Sequence, residues 1–398
     1  MPKTLMIIGG NWEQKKLVET AKNMGLTVIL TDPDAACAAK SLADSFYIVE
    51  PRDLTRLIAI AQTHAVVGVI ADECDYSHYA AVVIAHQLNL PNDGLAAAQV
   101  TTNKAWMREK VRDAAVMQPR FFACNTLEQA QQAMQLIGLP VIVKPVDNRG
   151  AFGISIVRDK QALQAAFLDA LVNAHSRQVI VEAFVEGTHI TVDGICDEHG
   201  RHHNLAMASK AILSGEKPVI TDVIYPAQIS AELVSHVYEV NQKVIAALGI
   251  HSGFSHSEYI LDDKGRCFLV ETANRGGGVL TSAKILPYLA SADLYEFLIK
   301  QSLGEPAVLS LQPKQCSVLL SFFVFANGRV KSIDGVDTAA TLPGVLHLQL
   351  LVSEGQTLSR PKNGAQRHGF VILSAANVTE LEQLRARVAE TFKVTYVD

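Results

Sequence analysis

Apolar residues near the start of the chain form short runs separated by segments of helical spacing. The apolar runs lie at 4–8, 27–31, 46–49 and 66–71, and the helical segments lie at 13–24, 53–63 and 76–88. Strands that alternate with helices of this length are typical of βαβ units, whose parallel sheet is covered on both faces. We therefore predict a Rossmann-like α/β domain over residues 1–93.

The pattern changes after residue 94. Residues 94–138 have helical spacing with one strand near 120–123, and strand-like segments separated by short turns follow at 140–145, 154–157, 178–183, 189–196, 201–209 and 219–225. The segments 253–261 and 266–272 flank the turn residues 262–265 and predict a hairpin. Strands joined by turns favour an antiparallel α+β region, with helices at 161–173, 230–248 and 293–303.

A last α+β unit is predicted beyond a proline-containing linker at 304–315. Its strands are expected at 316–325, 328–334, 345–351 and 369–375, and its helix at 379–391. The fold class is therefore α/β combined with α+β, in three parts: residues 1–93, 94–310 and 311–398.

Composition narrows the classes of protein. The chain has 398 residues, 49% of them hydrophobic and 19% charged, with a net charge of −5. This apolar content excludes a disordered chain, and the negative charge argues against a nucleic-acid partner. No apolar run reaches the ~20 residues of a membrane-spanning helix, so no membrane partner is expected. The six cysteines lie far apart, which excludes a disulfide framework and a zinc site and favours the cytoplasm.

The first segment with candidate chemistry is a lysine followed by a glycine-bearing loop. Lys144 ends a predicted strand, and Gly150 and Gly153 follow it. Small residues allow backbone N–H groups to approach a polyphosphate, and a lysine places a point charge against it. The segment lacks the Gly-Lys-Ser/Thr of a Walker A loop. An ordinary hairpin with a surface lysine explains it equally well.

The second segment is an apolar strand that ends in a glutamate. Glu182 is followed by Val185 and His189. Such a hinge can hydrogen-bond an adenine edge, with Glu182 accepting from the amino group and His189 reaching a ribose hydroxyl. A strand followed by a plain turn is an equal alternative.

The third segment places two acids on the predicted hairpin. If Asp262 pairs with Gly265, Glu271 lies opposite His256 and diagonal to Glu258, with about 7 Å between the backbones. Two carboxylates on one face suit Mg²⁺ shared with phosphates. A bulge in the turn would move Glu271 to the face opposite Glu258. The other alternative is that both acids face solvent and pair with lysines. Arg275 and three glycines follow, a pattern suited to clamping a phosphate or carboxylate.

Two other segments carry weaker signals. Gly9 and Gly10 follow the first strand, but the next residues do not complete the Gly-x-Gly-x-x-Gly pattern of a dinucleotide site. Lys104 lies on a predicted helix, where a lone lysine is usually solvated.

In this order the segments resemble the ATP-grasp superfamily over residues 4–304. The resemblance rests on the sequence Asn-Lys-x-x-Met-Arg around Lys104, the Val-Lys-Pro of Lys144, the glycine loop, the hinge after Glu182, and the Glu-x-x-x-Arg that ends at Arg275. It is most similar to the L-amino-acid ligase and carbamoyl-phosphate synthase large-chain branch. Residues 316–398, through the strand-turn-strand pattern at 316–334, resemble the C-terminal domain of the L-amino-acid ligase and carnosine-synthase-like branch.

The resemblance implies a pre-ATP-grasp domain (1–93), an ATP-grasp domain (94–310) with a small lid subdomain at about 118–186 and a larger one at 187–310, and a C-terminal domain (311–398). It also implies roles for individual residues. The implied phosphate-binding residues are Lys104, Lys144, Gly150 and Gly153, with Lys210 as a weaker candidate. The implied contacts with the nucleoside come from Glu182, the backbone of Val185, and His189. Glu258 and Glu271 are the implied metal ligands, and Arg275 and Lys144 the implied catalytic residues. Ala273 stands where the superfamily usually has a metal-binding asparagine, and Asn274 lies one position late.

The implied activity is an ATP-dependent carboxylate–amine ligase that works through an acyl phosphate, with L-amino acids as one candidate substrate class. The implied cofactors are ATP and Mg²⁺, with Mn²⁺ as an alternative metal, and the partners are a small carboxylate and a small amine. A homodimer is an open option, because the superfamily is often dimeric. His251, His256 and Ser257 are candidates for substrate contact. The alternatives are a carboxylase-type enzyme that uses bicarbonate and an ATP-binding protein without catalysis.

Overall fold

The computed structural model describes residues 2–148, 150–213 and 219–397. The N-terminal part contains β1 (Thr4–Ile8), α1 (Lys15–Asn23), β2 (Thr27–Asp32), β3 (Ser45–Ile48), α2 (Leu54–Thr63), β4 (Gly68–Ile70) and α3 (Asp75–Gln87). Its strands form one parallel sheet in the order β3-β2-β1-β4. The predicted Rossmann-like architecture is confirmed.

Two short helices lead into a small antiparallel sheet. They are α4 (Leu95–Thr101) and α5 (Lys104–Lys110), and they are followed by β5 (Phe121–Cys124), α6 (Leu127–Ile137), β6 (Val141–Pro145), β7 (Ser155–Val157), α7 (Leu163–Val172) and β8 (Val179–Ala183). The strand order is β5-β8-β6-β7, and every pairing is antiparallel. This small sheet and its two helices, α6 and α7, lie within residues 118–186, the range that the resemblance implied for the lid subdomain.

The next segment supplies long antiparallel strands. It contains β9 (Thr188–Cys196), β10 (His202–Leu213), β11 (Val219–Tyr225), α8 (Ala231–Leu248), β12 (Phe254–Leu261) and β13 (Cys267–Ala273). A π-helical turn, Thr281–Ile285, then leads into α9 (Leu286–Ala290) and α10 (Leu294–Ser302).

The C-terminal unit contains β14 (Ser317–Phe322), β15 (Gly328–Asp334), α11 (Val336–Ala340), β16 (Val345–Leu350), β17 (Thr357–Leu358), β18 (Gly369–Ala375), α12 (Val378–Thr391) and β19 (Lys393–Tyr396). Three of its strands join the sheet of the preceding segment, giving the order β13-β12-β9-β10-β11-β14-β18-β16. The predicted C-terminal domain thus shares the central sheet through these three strands, and β17, β15 and β19 form a small sheet of its own.

One apolar core connects these units. It includes Leu17 of α1, Tyr225 of β11, Leu320 of β14 and Phe370 of β18, all of them almost fully buried. The N-terminal domain, the central sheet and the C-terminal unit therefore pack against one another around the same apolar interior. No helix within the described ranges has the length and hydrophobicity needed to cross a membrane.

Removing the C-terminal unit tests this shared sheet. A chain that ends at residue 310 loses the pairing of β14 with β11 and leaves β11 as an apolar edge, which favours aggregation. We expect this variant to be insoluble or to lose cooperative unfolding, as measured by soluble yield and thermal circular dichroism. A chain that ends at residue 392 lacks only β19 of a separate small sheet and serves as the control. A soluble, cooperatively folding 1–310 chain would contradict the assignment.

Candidate active site

Two adjoining cavities form one cleft between the units of the fold. The first, of about 570 Å³, lies between the small sheet and the central sheet. The second, of about 520 Å³, lies between the N-terminal domain, the central sheet and the C-terminal unit. Both are lined by Lys210, Glu258, Glu271 and Arg367, which therefore stand where the cavities meet.

Most of the residues predicted from the sequence converge on this cleft. The first cavity is lined by Lys104, Lys144, Gly150, Glu182, Val185, His189, Glu258 and Glu271. Arg275 lines the second cavity. Residues far apart in the chain are thus brought to one place, which is the geometric condition that the resemblance required.

Gly153 does not share this location. It lines neither cavity, and a Cβ atom at this position would lie 2.9 Å from the Cβ of Asn173 and 3.2 Å from the Cα of Ala170. Its φ of +68° also favours glycine. Close packing against α7 thus accounts for a glycine at this position, and the phosphate contact of Gly153 stays a prediction. Arg149, in the same loop, lies outside the described residues.

Glu182 is the centre of a buried ion cluster. Its Oε2 atom lies 2.7 Å from the Nζ atom of Lys144, and its Oε1 atom accepts from the Nε (2.9 Å) and Nη2 (2.8 Å) atoms of Arg108. Burial alone would raise the pKa of Glu182, but the two cations lower it to about 2. The carboxylate is therefore occupied by Arg108 and Lys144, so the predicted contact with an adenine amino group is not favoured. The sequence analysis gave Arg108 no role, although it lies in the segment around Lys104.

The hinge after Glu182 has open backbone groups and apolar surroundings. No hydrogen bond of Val185 to the rest of the described chain is present. The first cavity there is bounded by Ile142, Ile156, Phe184 and Ile260. A planar apolar ring fits between such side chains, with free N–H and C=O groups at its edge. His189 lies in the same cavity, where burial lowers its pKa.

Lys104 is positioned by the start of α5. The side chain of Asn103 accepts from the N–H groups of Ala105 and Trp106 and so caps this helix. The Nζ atom of Lys104 donates to the carbonyl of Asn148 at 2.8 Å and lies 2.8 Å from Glu271. The lysine is thus buried in the cleft rather than solvated.

The hairpin places the two acids differently from the prediction. Asp262 pairs with Arg266 instead of Gly265, and a bulge at Val270 shifts the register once more. Each one-residue shift turns the following side chains to the other face, so two shifts restore the original face. Glu258 and Glu271 therefore do share a face, as predicted, but they lie directly opposite each other instead of diagonally.

Each of these acids has a cationic partner. Glu258 lies 2.6 Å from Lys210 and 3.4 Å from His256, whose other ring nitrogen is 2.7 Å from Asp193. Burial opposes ionisation of Glu258, but Lys210 and His256 lower its pKa well below the usual range. Asp193 is fully buried and also accepts from the hydroxyl of Tyr225, which fixes its orientation. The sequence analysis did not identify Asp193 or Tyr225.

The acid pair fits a hard divalent cation that shares its ligands with phosphates. No group of three or more His, Cys, Asp or Glu residues suited to a metal is found within 2–148, 150–213 and 219–397. Mg²⁺ commonly takes one or two carboxylates and completes its shell with phosphate oxygens and water, so this donor set is sufficient. Asn274 lines neither cavity of the cleft; its amide nitrogen donates to the carbonyls of Ser252 and Phe254, and its Oδ1 atom has no hydrogen-bond partner in the described chain. The methyl group of Ala273 takes the position facing His256.

Arg275 is held in place by the N-terminal domain. Its Nε and Nη2 atoms donate to the two carboxylate oxygens of Asp75 at 2.9 and 3.0 Å. Burial works against the charged form, but Asp75 raises the pKa of Arg275 further above its ordinary value. This pair connects the first turn of α3 to the loop after β13.

The three candidates for substrate contact have different positions. His256 lines the second cavity, as predicted. Ser257 is buried on the opposite face of β12, where its hydroxyl accepts from Thr272. His251 is exposed and bonds the carbonyl of Gly249, outside both cavities. Only His256 is therefore placed to meet a substrate.

Comparison with protein families identifies two regions of the chain. Residues 137–283 match the family described as the ATP-grasp domain. Residues 321–397 match the family described as L-amino acid ligase C-terminal domain 2. The first region carries the cleft residues from Lys144 to Arg275, and the second carries Arg367.

Three known proteins are similar to the chain over nearly its whole length. Formate-dependent phosphoribosylglycinamide formyltransferase of Shewanella frigidimarina is 24% identical, over 98% of this chain and 96% of the relative. The structure of L-amino acid ligase from Bacillus licheniformis has a TM-score of 0.83 at 20% identity and covers 100% of this chain and 99% of that one. The biotin carboxylase domain dimer of Hydrogenobacter thermophilus 2-oxoglutarate carboxylase, solved with MgADP and bicarbonate, has a TM-score of 0.76 at 16% identity, over 100% and 92%.

The buried cluster at Glu182 gives a pH-dependent stability. The pKa of Glu182 is about 2 in the folded state and roughly 4.3 in the unfolded state. Its contribution to the free energy of unfolding is therefore complete above the unfolded pKa and is lost as the pH falls from about 5 towards 2. Glu182→Gln should lower the free energy of unfolding by about 3 kcal/mol at pH 7 and by much less near pH 3. Urea unfolding at both pH values measures this difference.

Glu109→Gln is the matched control for this measurement. Glu109 pairs with Arg112 on the surface, where such pairs contribute about 0.2–1 kcal/mol. An equal effect of Glu182→Gln at pH 7 and pH 3 would show that the ion cluster does not stabilise the fold.

Proposed function

We propose that this chain, whose residues 137–283 match the ATP-grasp domain family, activates the carboxylate of one amino acid with ATP and joins it to the amine of another. As an ATP-grasp ligase it uses ATP and Mg²⁺ and forms a carbon–nitrogen bond. The amino-acid substrates and the assignment of the site residues below are part of the proposal.

The meeting point of the two cavities carries this proposal. The first cavity offers an apolar slot and an open hinge for a nucleoside, and Lys104 and Lys144 lie between that slot and the acid pair. The second cavity begins at the same acid pair and extends towards the N-terminal and C-terminal units. A nucleotide in one cavity and a carboxylic acid in the other would thus present the γ-phosphate and the carboxylate to each other.

The charged side chains of the cleft hold the reacting groups in the proposed reaction. Lys104 and Lys144 bind phosphate oxygens, and Glu258 and Glu271 hold Mg²⁺, which supplies neutralisation of the phosphate charge when it is bound. Arg275 neutralises the charge on the transferred phosphoryl group. Its pairing with Asp75 keeps the guanidinium fixed in the second cavity, so little reorganisation accompanies the reaction.

The chemical steps follow from this arrangement. A carboxylate oxygen attacks the γ-phosphorus and ADP leaves, which gives an acyl phosphate. The amine then attacks the carbonyl carbon, and phosphate and a proton are released as the amide forms. Water must be kept out while the acyl phosphate exists. The glycine loop covers the cleft for this purpose, and its Gly150 carbonyl accepts a hydrogen bond of 3.0 Å from the N–H of Gly364 in the C-terminal unit.

A carboxylase-type or formate-using reaction is the second candidate. The named relatives include a formate-dependent enzyme and a carboxylase domain solved with bicarbonate, and both share the overall fold. The family match at 321–397 favours the amino-acid ligase instead.

A screen of acid–amine combinations distinguishes these reactions. With ATP and Mg²⁺, we expect ADP release that requires two amino acids together, and mass spectrometry should detect a dipeptide. Stimulation by bicarbonate or formate without a second amino acid would favour the second candidate. ATP binding without turnover in every combination would contradict both and leave a binding protein.

Glu271→Gln tests the metal-binding role. Loss of one ligand charge should reduce Mg²⁺-dependent ADP formation at least about 100-fold, because metal-ion neutralisation supplies several kcal/mol in the transition state. The fold should remain, since Gln occupies the same space. Glu296→Gln, which removes a partly exposed pair with Lys300, is the control and should leave the rate unchanged. A rate for Glu271→Gln close to that of the wild type would contradict the assignment of Glu271 as a metal ligand.

A further inference from the structure

The second cavity has an aromatic wall. Trp12 lies in the loop after β1, and its ring centroid is 5.4 Å from that of Phe370. The ring centroids of Phe370 and Phe322 are 6.3 Å apart. All three side chains line the cavity. The residues after Gly9 and Gly10, which do not fit a dinucleotide site, therefore form part of this wall.

Arg367 projects from the C-terminal unit into the meeting point of the two cavities. Its guanidinium carbon lies 3.6 Å above the ring of Phe322. The Nε atom is buried and has no hydrogen-bond partner in the described chain. Burial lowers the pKa of Arg367 to about 10, so the side chain remains a cation at neutral pH.

Arg367 differs from the other cations of the cleft. Lys104, Lys144, Lys210 and Arg275 each lie within 3 Å of a carboxylate oxygen. The described ranges contain no such partner for Arg367, although Glu13 and Glu258 lie near enough to favour its charge. A buried guanidinium with an open donor is costly unless an anion pairs with it, so the site is built for an anionic ligand.

We propose that the second cavity binds a carboxylic acid with a bulky apolar or aromatic side chain, whose carboxylate pairs with Arg367 and whose side chain packs on Trp12, Phe370 and Phe322. This inference rests on the proposed ligase function and specifies its acid substrate. A carboxylate on Arg367 lies beside the acid pair, Glu258 and Glu271, where the γ-phosphate is expected. A one-carbon acid would leave the aromatic wall and most of the 520 Å³ unfilled.

Glu13 completes the recognition of an amino acid. Its Oε1 atom accepts from the N–H of Val279 at 2.8 Å, which fixes the side chain in the wall of the cavity. The carboxylate of Glu13 lies near Arg367 without pairing with it. This arrangement suits a zwitterionic amino acid, whose carboxylate pairs with Arg367 and whose ammonium group is directed to Glu13. The cavity therefore offers Arg367 for the carboxylate, Glu13 for the ammonium group and an apolar wall for the side chain.

The specificity for the acid substrate can be measured separately with hydroxylamine as the nucleophile. Hydroxylamine converts an acyl phosphate to a hydroxamate, whichever amine is the natural substrate. The acids to compare are glycine, alanine, leucine, phenylalanine, glutamate, formate and bicarbonate. We expect kcat/KM for leucine or phenylalanine to exceed that for alanine at least about tenfold. Glutamate, formate and bicarbonate should be poor substrates.

Arg367→Gln should raise the KM of the preferred acid about 10- to 100-fold, because a charge-assisted pair is lost, while the KM of ATP changes less than about threefold. Arg367→Lys should recover part of the affinity. Trp12→Ala should lower kcat/KM for the large acid about tenfold and leave alanine nearly unaffected. Arg329→Gln, an exposed arginine of the same unit, is the control. Binding of ADP, measured directly, verifies that each variant is folded.

The outcomes separate this inference from the ligase proposal. Hydroxamate formation by the wild type without a preference for large apolar acids, or with formate as the best acid, would overturn the inference and leave the ligase. A change in the KM of ATP without a change in that of the acid would assign Arg367 to the nucleotide and also overturn the inference. No hydroxamate and no ADP release with any acid would overturn the ligase proposal, and the inference with it.

Discussion

The placement of Glu258 directly opposite Glu271 is the constraint on which the rest of the cleft depends. Two carboxylates on neighbouring strands repel each other, and burial makes their charges still more costly. Lys210 and Lys104 offset this repulsion, one on each acid, at 2.6 and 2.8 Å. The lysines come from β10 and α5, so the central sheet and the helix before the small sheet must both be in place before the acid pair is tolerated.

The same principle organises the rest of the cleft. Glu182 binds Lys144 and Arg108, and Asp75 binds Arg275, so each ion pair joins two segments that are distant in the chain. Buried pairs of this kind add little net stability, but they are very unfavourable when one partner is missing. They therefore favour one relative arrangement of the units, in which the cations already surround the place where phosphates are expected. Among the described residues Arg367 has no carboxylate partner, and in our proposal the substrate supplies one.

The sequence was sufficient to predict most of the longer elements, but not the short elements α9, α11, β17 and β19, and not all of the contacts between elements. Periodicity found the parallel sheet and the hairpin of β12 and β13, and the spacing of motifs found the residues that line the first cavity. The sequence pattern could not predict the register of the hairpin, because the bulge at Val270 depends on local backbone geometry that the residue type does not determine. The sequence could not show the close packing of Gly153 against α7 either, since glycine serves packing and phosphate binding equally well. Arg108, Asp193 and Arg367 have roles that exist only through contacts across the fold.

The continuity of the central sheet explains why the second cavity has residues from both ends of the chain. Because β14 and β18 extend the sheet that carries the acid pair, Phe322 and Phe370 are held in the same sheet as Glu258, and the short turn before β18 brings Arg367 to the meeting point. The loop after β1 reaches the same wall with Trp12. Differences in these two peripheral segments would change the acid that is bound without altering the metal and phosphate site. One fold can therefore carry different substrate cavities, which agrees with the variety of enzymes that share this fold.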